Sequence, residues 1–127
     1  MKVLVIDDDE LARTLLVEIL ENLGHDVHEL SSPIGATSVM LKEKVDVVVL
    51  DVMMPSLNGD KLAKLMRSNP QLHRVGVVLV SATEDQRMHD LAKEAGAAAF
   101  VGKSQIRTRL GAAIVRAANG SQPAKPY

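Results

Sequence analysis

The chain of 127 residues is long enough for one domain with a single hydrophobic core, and 46% of its residues are hydrophobic. A formal net charge of -1 argues against a general polyanion binder, and one Phe and one Tyr argue against a base-stacking surface. The absence of cysteine excludes disulfides, thiolate nucleophiles and cysteine-based zinc sites. The N-terminal apolar run is too short for a secretion signal or a membrane span, so we expect a cytoplasmic protein.

The first strand and helix are predicted from residues 3 to 24. The apolar run from Val3 to Ile6 predicts a strand buried on both faces. Asp8 or Asp9 caps the helix that follows, and Glu10 lies in its first turn, where the helix dipole favours negative charge. The helix ends at Gly24. Its predicted buried stripe repeats every four residues and consists of Leu11, Leu15, Ile19 and Leu23.

The next elements lead to the most apolar strand of the chain. Residues 25 to 30 alternate more between polar and apolar, which predicts a strand nearer the sheet edge. Ser32 and Pro33 are typical of an N-cap and a first helical residue, and they predict a helix to about residue 44. Residues 46 to 50 then predict a central strand that stops at Asp51.

A loop and a short helix follow this central strand. Pro55 and Asn58-Gly59 are turn signals in the loop of residues 51 to 59. The helix ends at Pro70, and its predicted packing residues are Leu62, Leu65 and Met66. Residues 75 to 80 predict a fourth strand that is fully apolar.

The last elements complete five alternations of strand and helix. Thr83 and Gln86 form a predicted capping box for a helix that ends at Gly96. Residues 97 to 101 predict the fifth strand, and residues 104 to 118 predict the last helix. The alternation predicts one α/β domain, residues 1–120, with a parallel sheet covered by helices on both faces. Residues 121–127 contain two prolines and predict a flexible tail or a truncated linker.

Polar side chains follow four of the predicted strands. They are Asp7 and Asp8, Asp51, Ser81, and Lys103. Because ligands bind at the carboxyl ends of parallel strands, these side chains are expected to form one site. Close carboxylates repel one another unless a cation joins them, and Mg²⁺ takes carboxylates, water and phosphate oxygens. A carboxylate beside Mg²⁺ and a lysine suits phosphoryl transfer, and a hydroxyl can bond a phosphoryl oxygen. Each residue alone also fits an ordinary role as a cap, a turn residue or a solvated side chain.

Four segments resemble the receiver domain of bacterial two-component response regulators, over about residues 2 to 118. They are Val5-Ile6-Asp7-Asp8, the loop from Asp51 to Gly59 with its internal Met54-Pro55, Ser81-Ala82, and Phe100 to Lys103. The resemblance implies a doubly wound, flavodoxin-like (β/α)5 fold with strand order 2-1-3-4-5. It also implies a signalling switch, which at most catalyses its own phosphorylation and dephosphorylation and is otherwise no enzyme.

The resemblance implies a role for each acidic residue. Asp51 is the implied acceptor of a phosphoryl group from a histidine kinase. Asp8, Asp51 and the backbone carbonyl of Met53 are the implied Mg²⁺ ligands, and Asp7 assists through water. Lys103 is implied to pair with the phosphoryl group.

The resemblance also implies a switch between Ser81 and Phe100. The hydroxyl moves toward the phosphoryl group, and the ring turns inward behind it. We expect the output surface to be the fourth helix, fifth strand and fifth helix, with candidate contact residues Met88, His89, Ile106 and Leu110. Many receivers have proline after the lysine, whereas Ser104 follows here. Since a cis bond before a non-proline residue costs about 2.5–4 kcal/mol, we predict a trans bond.

The expected partners are a histidine kinase or phosphotransfer protein and an unidentified downstream protein. We expect no nucleic acid bound by this chain alone, no membrane contact, and a monomer or phosphorylation-dependent homodimer. The alternative is the receiver part of a longer LuxR-type DNA-binding transcriptional regulator, which residues 96–104 and 112–120 resemble. An aspartyl phosphatase is a weaker hypothesis, because such enzymes carry a second acid two residues after the nucleophile and Met53 occupies that position.

Overall fold

A computed structural model describes residues 1–54 and 57–120 of the chain. Among these residues, five strands form one parallel sheet in the order β2-β1-β3-β4-β5. The strands are β1 (Lys2–Ile6), β2 (Asp26–Leu30), β3 (Val47–Asp51), β4 (Gly76–Ser81) and β5 (Ala99–Gly102). The predicted doubly wound sheet and its strand order are confirmed.

Five α-helices connect and cover these strands within the described residues. They are α1 (Glu10–Asn22), α2 (Ala36–Glu43), α3 (Gly59–Ser68), α4 (Gln86–Glu94) and α5 (Ile106–Gly120), and a 3-10 turn (Lys103–Gln105) precedes α5. None of them combines the length and the apolar character needed to cross a membrane. The peptide bonds of the described residues are trans, as predicted for the bond after Lys103. Pro55 and the predicted tail, residues 121–127, lie outside the described residues.

The sheet has a separate apolar core on each face. Successive side chains of a strand point to opposite faces, so Val48 and Leu50 pack with α2, α3 and α4, whereas Val47 and Val49 pack with α1 and α5. This division explains the continuous apolar run in the sequence, since both faces of β3 are buried. At the sheet edge β2 is only partly buried, which confirms its predicted position.

The predicted cap of α1 is confirmed, and its predicted buried stripe is wrong at its two ends, Leu11 and Leu23, while Ile19 packs partly buried against the core. The Asp9 side chain accepts a hydrogen bond from the Leu11 N–H at 3.1 Å. Leu11 is 83% exposed and Leu23 is 53% exposed, whereas the fully buried residues are Leu16 and Leu20. A step of four residues turns about 40° beyond a full helical turn, so a strict spacing of four leaves the buried face within a few steps.

The helix α2 begins later than predicted. Ser32 does not cap it, because the Ser32 hydroxyl accepts a hydrogen bond from the Ile34 N–H at 3.3 Å in a local turn. The chain then passes through Gly35, whose φ of 82° is in the left-handed region, and the helix starts at Ala36.

The predicted capping box of α4 is also wrong. Asp85 is the N-cap, and its carboxylate accepts a hydrogen bond from the Met88 N–H at 3.0 Å. Thr83 lies before the helix, in the loop that follows β4. Thr83 and Asp85 can both form an N-cap, and Asp85, the one nearer the helix, forms it.

Three side chains lie on the opposite side of their helices from the one predicted. Leu65 of α3 is exposed, and Ala63 takes its predicted place in the core. Ile106 and Leu110 of α5, expected as contact residues on the output surface, are fully buried against the sheet. Only His89 is exposed among the four candidate contact residues, and Met88 is half-buried.

Candidate functional site

Three carboxylates meet at the carboxyl edge of the sheet. β1 and β3 are neighbours in register, with Ile6 opposite Leu50, so Asp7 and Asp51 emerge side by side. Carboxylate oxygens of Asp7, Asp8 and Asp51 lie within 4.8 Å of one another. Asp7 and Asp51 are buried, whereas Asp8 is exposed. The predicted convergence of the acidic residues is therefore confirmed as a geometric fact, with two carboxylates in the floor and one facing solvent.

Lys103 reaches this cluster from the end of β5. Its Nζ lies 2.9 Å from Asp7 Oδ2 and donates a hydrogen bond to Asp51 Oδ2 at 3.2 Å. Buried Asp7 Oδ2 therefore has the Lys103 ammonium as its partner in a close ion pair. The cluster holds three carboxylates, and the Lys103 ammonium contacts two of them, Asp7 and Asp51, which leaves negative charge in excess. This excess of negative charge fits a divalent cation with oxygen ligands.

The two buried carboxylates are oriented by their own turns. The Asp9 N–H donates to Asp7 Oδ1 at 2.9 Å, and the Met53 N–H donates to Asp51 Oδ1 at 3.2 Å. Such bonds two residues ahead are a usual device of aspartate in turns. Each carboxylate thereby keeps its second oxygen directed toward Lys103.

The electrostatics of the site oppose full ionisation of Asp51. Burial and then the negative charge of Asp7 raise the pKa of Asp51 from 3.8 to about 6, and they outweigh Lys103 and the Met53 N–H. Burial disfavours the charged form of Lys103, but its contacts with Asp7 and Asp51 outweigh burial and raise the pKa of the ammonium. A further cation would lower the pKa of Asp51 by relieving its repulsion with Asp7.

Gly59, predicted only as a turn signal, is required by close packing next to Asp51. A Cβ at this position would collide with the Asp51 carbonyl oxygen. The Gly59 N–H also donates to the Val52 carbonyl at 3.0 Å, which closes the loop after β3. The glycine thus lets the start of α3 lie directly on the strand end that carries Asp51.

Ser81 and Phe100 lie on the two neighbouring strands beyond β3. The side chain of Ser81 is buried, one residue beyond Val80, which pairs with Asp51 in the sheet. Its Oγ accepts a hydrogen bond from the Thr83 N–H at 3.2 Å. Phe100 is half-buried on β5, and its ring centroid lies 4.9 Å from that of His89 in α4.

The two methionines after β3 differ in burial. Met54 packs in the core, whereas Met53 is 64% exposed. The Met53 side chain stands at the same edge as the acidic cluster, because its residue follows Asp51 by two positions. Its backbone carbonyl as a metal ligand stays a prediction.

One residue beside the site was not predicted. Arg13 of α1 donates from Nη1 to the backbone carbonyl of Asp7 at 2.9 Å. The only signal in the sequence is its position about one turn into the helix that follows Asp7 to Asp9. A solvated side chain could occupy the same position, so this contact could be found only from the structure.

The fold and the site define a class, the flavodoxin-like α/β domains with an acidic site at the carboxyl edge of the sheet. The chain belongs to the response regulator receiver domain family, whose pattern matches residues 3–115. It is therefore a signalling module, the receiver domain of a two-component response regulator.

Named relatives include proteins with different overall roles. The chain is 31% identical over 125 residues to the alkaline phosphatase synthesis transcriptional regulatory protein PhoP of Bacillus subtilis, covering 98% of this chain and 51% of that protein. It is 34% identical over 104 residues to a cyclic di-GMP phosphodiesterase of Thermotoga maritima, covering 81% of this chain and 27% of that protein. Across the curated relatives compared, the chain spans between 14% and 51% of their length.

Solved receiver structures are similar in fold. The response regulator domain of Thermotoga maritima CheB has a TM-score of 0.81 and 26% identity, with 97% of this chain and 98% of that chain covered. Chemotaxis protein CheY4 of Vibrio cholerae has a TM-score of 0.82 and 23% identity, with coverage of 91% and 97%. At 23% identity, the similarity to CheY4 shows a shared fold alone.

Proposed function

We propose that this receiver domain accepts a phosphoryl group on Asp51 in a reaction that requires Mg²⁺. The observation that carries the proposal is the close approach of Asp51 to two other carboxylates and to Lys103, whose Nζ is 3.2 Å from Asp51 Oδ2. We take residues 1–120 as the receiver unit, because the family match and the described helices and strands both fall within it.

The proposed Mg²⁺ ligands are Asp8, Asp51 and the Met53 carbonyl, with Asp7 acting through water. When bound, Mg²⁺ supplies positive charge that offsets the carboxylates and phosphoryl oxygens. The exposed carboxylate of Asp8 leaves the site open to solvent, which suits an ion that keeps part of its water shell.

The proposed chemistry is direct transfer from a phosphohistidine. An oxygen of the Asp51 carboxylate attacks phosphorus, the new P–O bond forms as the P–N bond breaks, and the leaving imidazole takes up a proton. Lys103 already lies against Asp51 Oδ2, so its ammonium needs only a small movement to pair with a phosphoryl oxygen. Positioning and charge neutralisation account for most of the catalysis in such reactions.

The proposed switch involves Ser81 and Phe100. The Ser81 Oγ accepts from the Thr83 N–H, so its own O–H is available to donate to a phosphoryl oxygen on Asp51. Phe100 is half-buried against His89, and an inward turn of the ring would break that contact. One charge-assisted hydrogen bond contributes roughly 1.5–3 kcal/mol, which is enough to shift a conformational equilibrium by a factor of ten or more.

We propose a histidine kinase or phosphotransfer protein as the phosphoryl donor, and an exposed apolar rim supports it. Leu11, Ile34 and Met53 are 83%, 77% and 64% exposed, and they follow β1, β2 and β3 at the edge that carries Asp51. Apolar side chains around a polar centre suit a protein partner. We also propose a cytoplasmic location, an unidentified downstream protein, and a monomer or phosphorylation-dependent homodimer.

The LuxR-type alternative is not favoured by any contact in the described residues. The chain is similar both to a transcriptional regulatory protein and to cyclic di-GMP phosphodiesterases. A receiver with these features therefore fits several kinds of output.

The proposal is tested by intact mass after incubation with acetyl phosphate and Mg²⁺. The wild type and Asp9→Asn should each gain one phosphoryl group, because Asn keeps the helix cap that Asp9 forms. Asp51→Asn should gain none, and a chelator should abolish uptake by the wild type. Uptake that persists in Asp51→Asn would contradict the assignment of the acceptor.

A further inference from the structure

Arg13 links the first helix to the edge strand and to the acidic turn. Its Nη1 donates to the Asp7 carbonyl at 2.9 Å, and its Nε donates to Glu29 Oε1 at 2.9 Å. Glu29 belongs to β2, and the Arg13 side chain is largely buried. A guanidinium can donate in two fixed directions at once, which an ammonium on a flexible stem does much less well.

Both backbone groups of Asp7 are tied to β2. Its N–H donates directly to the Leu30 carbonyl at 3.2 Å, and its carbonyl is held through Arg13 and Glu29. The Asp7 carbonyl belongs to the peptide that joins Asp7 to Asp8. Fixing this carbonyl therefore fixes the plane of that peptide and the direction in which Asp8 leaves it.

We infer that Arg13 is a positioning residue for the acidic metal site, acting through the Asp7–Asp8 peptide. The inference rests on the proposed function of that site. Asp8 is exposed and receives little support from packing, so its carboxylate depends on the backbone of the turn for its position. Asp7 is buried and is held by further contacts with Asp9 and Lys103.

The inference predicts that replacing Arg13 weakens Mg²⁺ binding, whereas simple electrostatics predicts that it tightens binding. Arg13 carries a positive charge beside a cation site, so removing the charge alone should tighten Mg²⁺ binding, by roughly 2- to 5-fold at surface dielectric values. Loss of a residue that orients metal ligands should weaken binding, typically by 10- to 100-fold. The sign of the change in Kd therefore decides between the two.

The experiment measures the Mg²⁺ Kd by calorimetry for the full chain and for matched variants. Arg13→Met should weaken binding about 10-fold. Arg13→Lys, which keeps the charge but not the two-way geometry, should also weaken binding, by a smaller factor. Glu29→Gln should weaken it by a few-fold, because the guanidinium loses its charged anchor. Arg109→Met is the control, since it removes an arginine that pairs with Glu84 and not with the acidic turn. It should leave the Kd within about twofold of the wild type.

A second readout needs no metal. The Asp9 amide bonds Asp7 Oδ1, so its hydrogen exchange reports the order of the turn. Exchange at Asp9 should speed up in Arg13→Met and not in Arg109→Met, relative to amides of β3 measured in the same sample. An unchanged or tighter Kd in Arg13→Met, with wild-type exchange at Asp9, would overturn the inference. Absence of Mg²⁺ binding by the wild type would instead overturn the proposed function and this inference with it.

Discussion

The acidic site and the surface formed by α4, β5 and α5 both contain charged networks, but they differ in burial. In the acidic site, Asp7, Asp51 and Lys103 lie on strand ends with little exposure. On the other surface, Glu84 contacts His89 at 3.3 Å and Arg109 at 3.4 Å, with all three side chains at least one quarter exposed. Buried charges depend strongly on their partners, whereas exposed pairs contribute about 0–1 kcal/mol. The first network is therefore suited to hold a fixed geometry and the second to rearrange.

The largest change in the free energy of unfolding is expected when Lys103, the lysine of the buried network, is replaced by Met. Lys103→Met leaves Asp7 and Asp51 facing each other without their cation, so the free energy of unfolding should fall by about 3 kcal/mol near pH 7 without metal. Arg109→Met removes an exposed cation and should cost less than about 1 kcal/mol. Urea unfolding with and without Mg²⁺ measures both. Equal losses in the two variants would contradict the distinction between the two networks.

A smaller change in stability, in the opposite direction, is expected when Asp51 is replaced by Asn. Its pKa in the folded chain, about 6, lies above its ordinary value of 3.8, so folding favours the protonated carboxyl. The stability that Asp51 contributes is present below pH 3.8 and is lost as the pH rises through about 6. Asp51→Asn should therefore stabilise the metal-free protein by about 1 kcal/mol at pH 7, after allowance for the partner that Lys103 loses.

The pH dependence provides the control for this prediction. The stabilisation by Asp51→Asn should vanish below pH 3.8, where the wild-type carboxyl is protonated in both states. Added Mg²⁺ should stabilise the wild type more than the variant, and its affinity should rise with pH up to about 6, since metal competes with the proton. A stabilisation that is independent of pH would mean that burial and Asp7 do not disfavour the carboxylate.

The same contrast explains what the sequence could predict. Asp7, Asp51 and Lys103 are correctly predicted to meet because each follows an apolar run and parallel strands end at one edge, and Ser81 ends the neighbouring strand at the same edge. That argument needs only the order and direction of the strands. The burial of both faces of β3 followed in the same way from its unbroken apolar run.

Features that depend on rotation or on distant contacts were predicted less well. Leu11 and Leu65 were placed on the wrong helix faces, because a few apolar residues do not define the phase of a helix. Asp85 formed the cap expected of Thr83, since both lie within reach of the same helix start. The contacts of Arg13 with Asp7 and Glu29 join α1 to the end of β1 and to β2, and no local sequence pattern predicts them.

The smallest effect on stability is expected at Glu84, with a larger effect on the switch. Glu84→Gln weakens the exposed contacts with His89 and Arg109, so the free energy of unfolding should change by less than about 0.5 kcal/mol. His89 is the ring that packs on Phe100, and Glu84 anchors it. Loosening this anchor should ease the proposed inward turn of Phe100.

The measurement is amide hydrogen exchange with and without beryllofluoride, which mimics the phosphoryl group. In the wild type we expect changes across residues 81 to 110, the segment from Ser81 through α4 and β5 into α5. In Glu84→Gln these changes should appear at lower beryllofluoride concentration, because less energy opposes the rearrangement. The pair of Arg13 with Glu29 lies outside this surface, so Glu29→Gln should show no such shift in beryllofluoride concentration, apart from the effect of its change in Mg²⁺ affinity. Changes confined to α1 and residues 51 to 54, with residues 81 to 110 silent, would show that the α4, β5 and α5 surface does not respond to the acidic site.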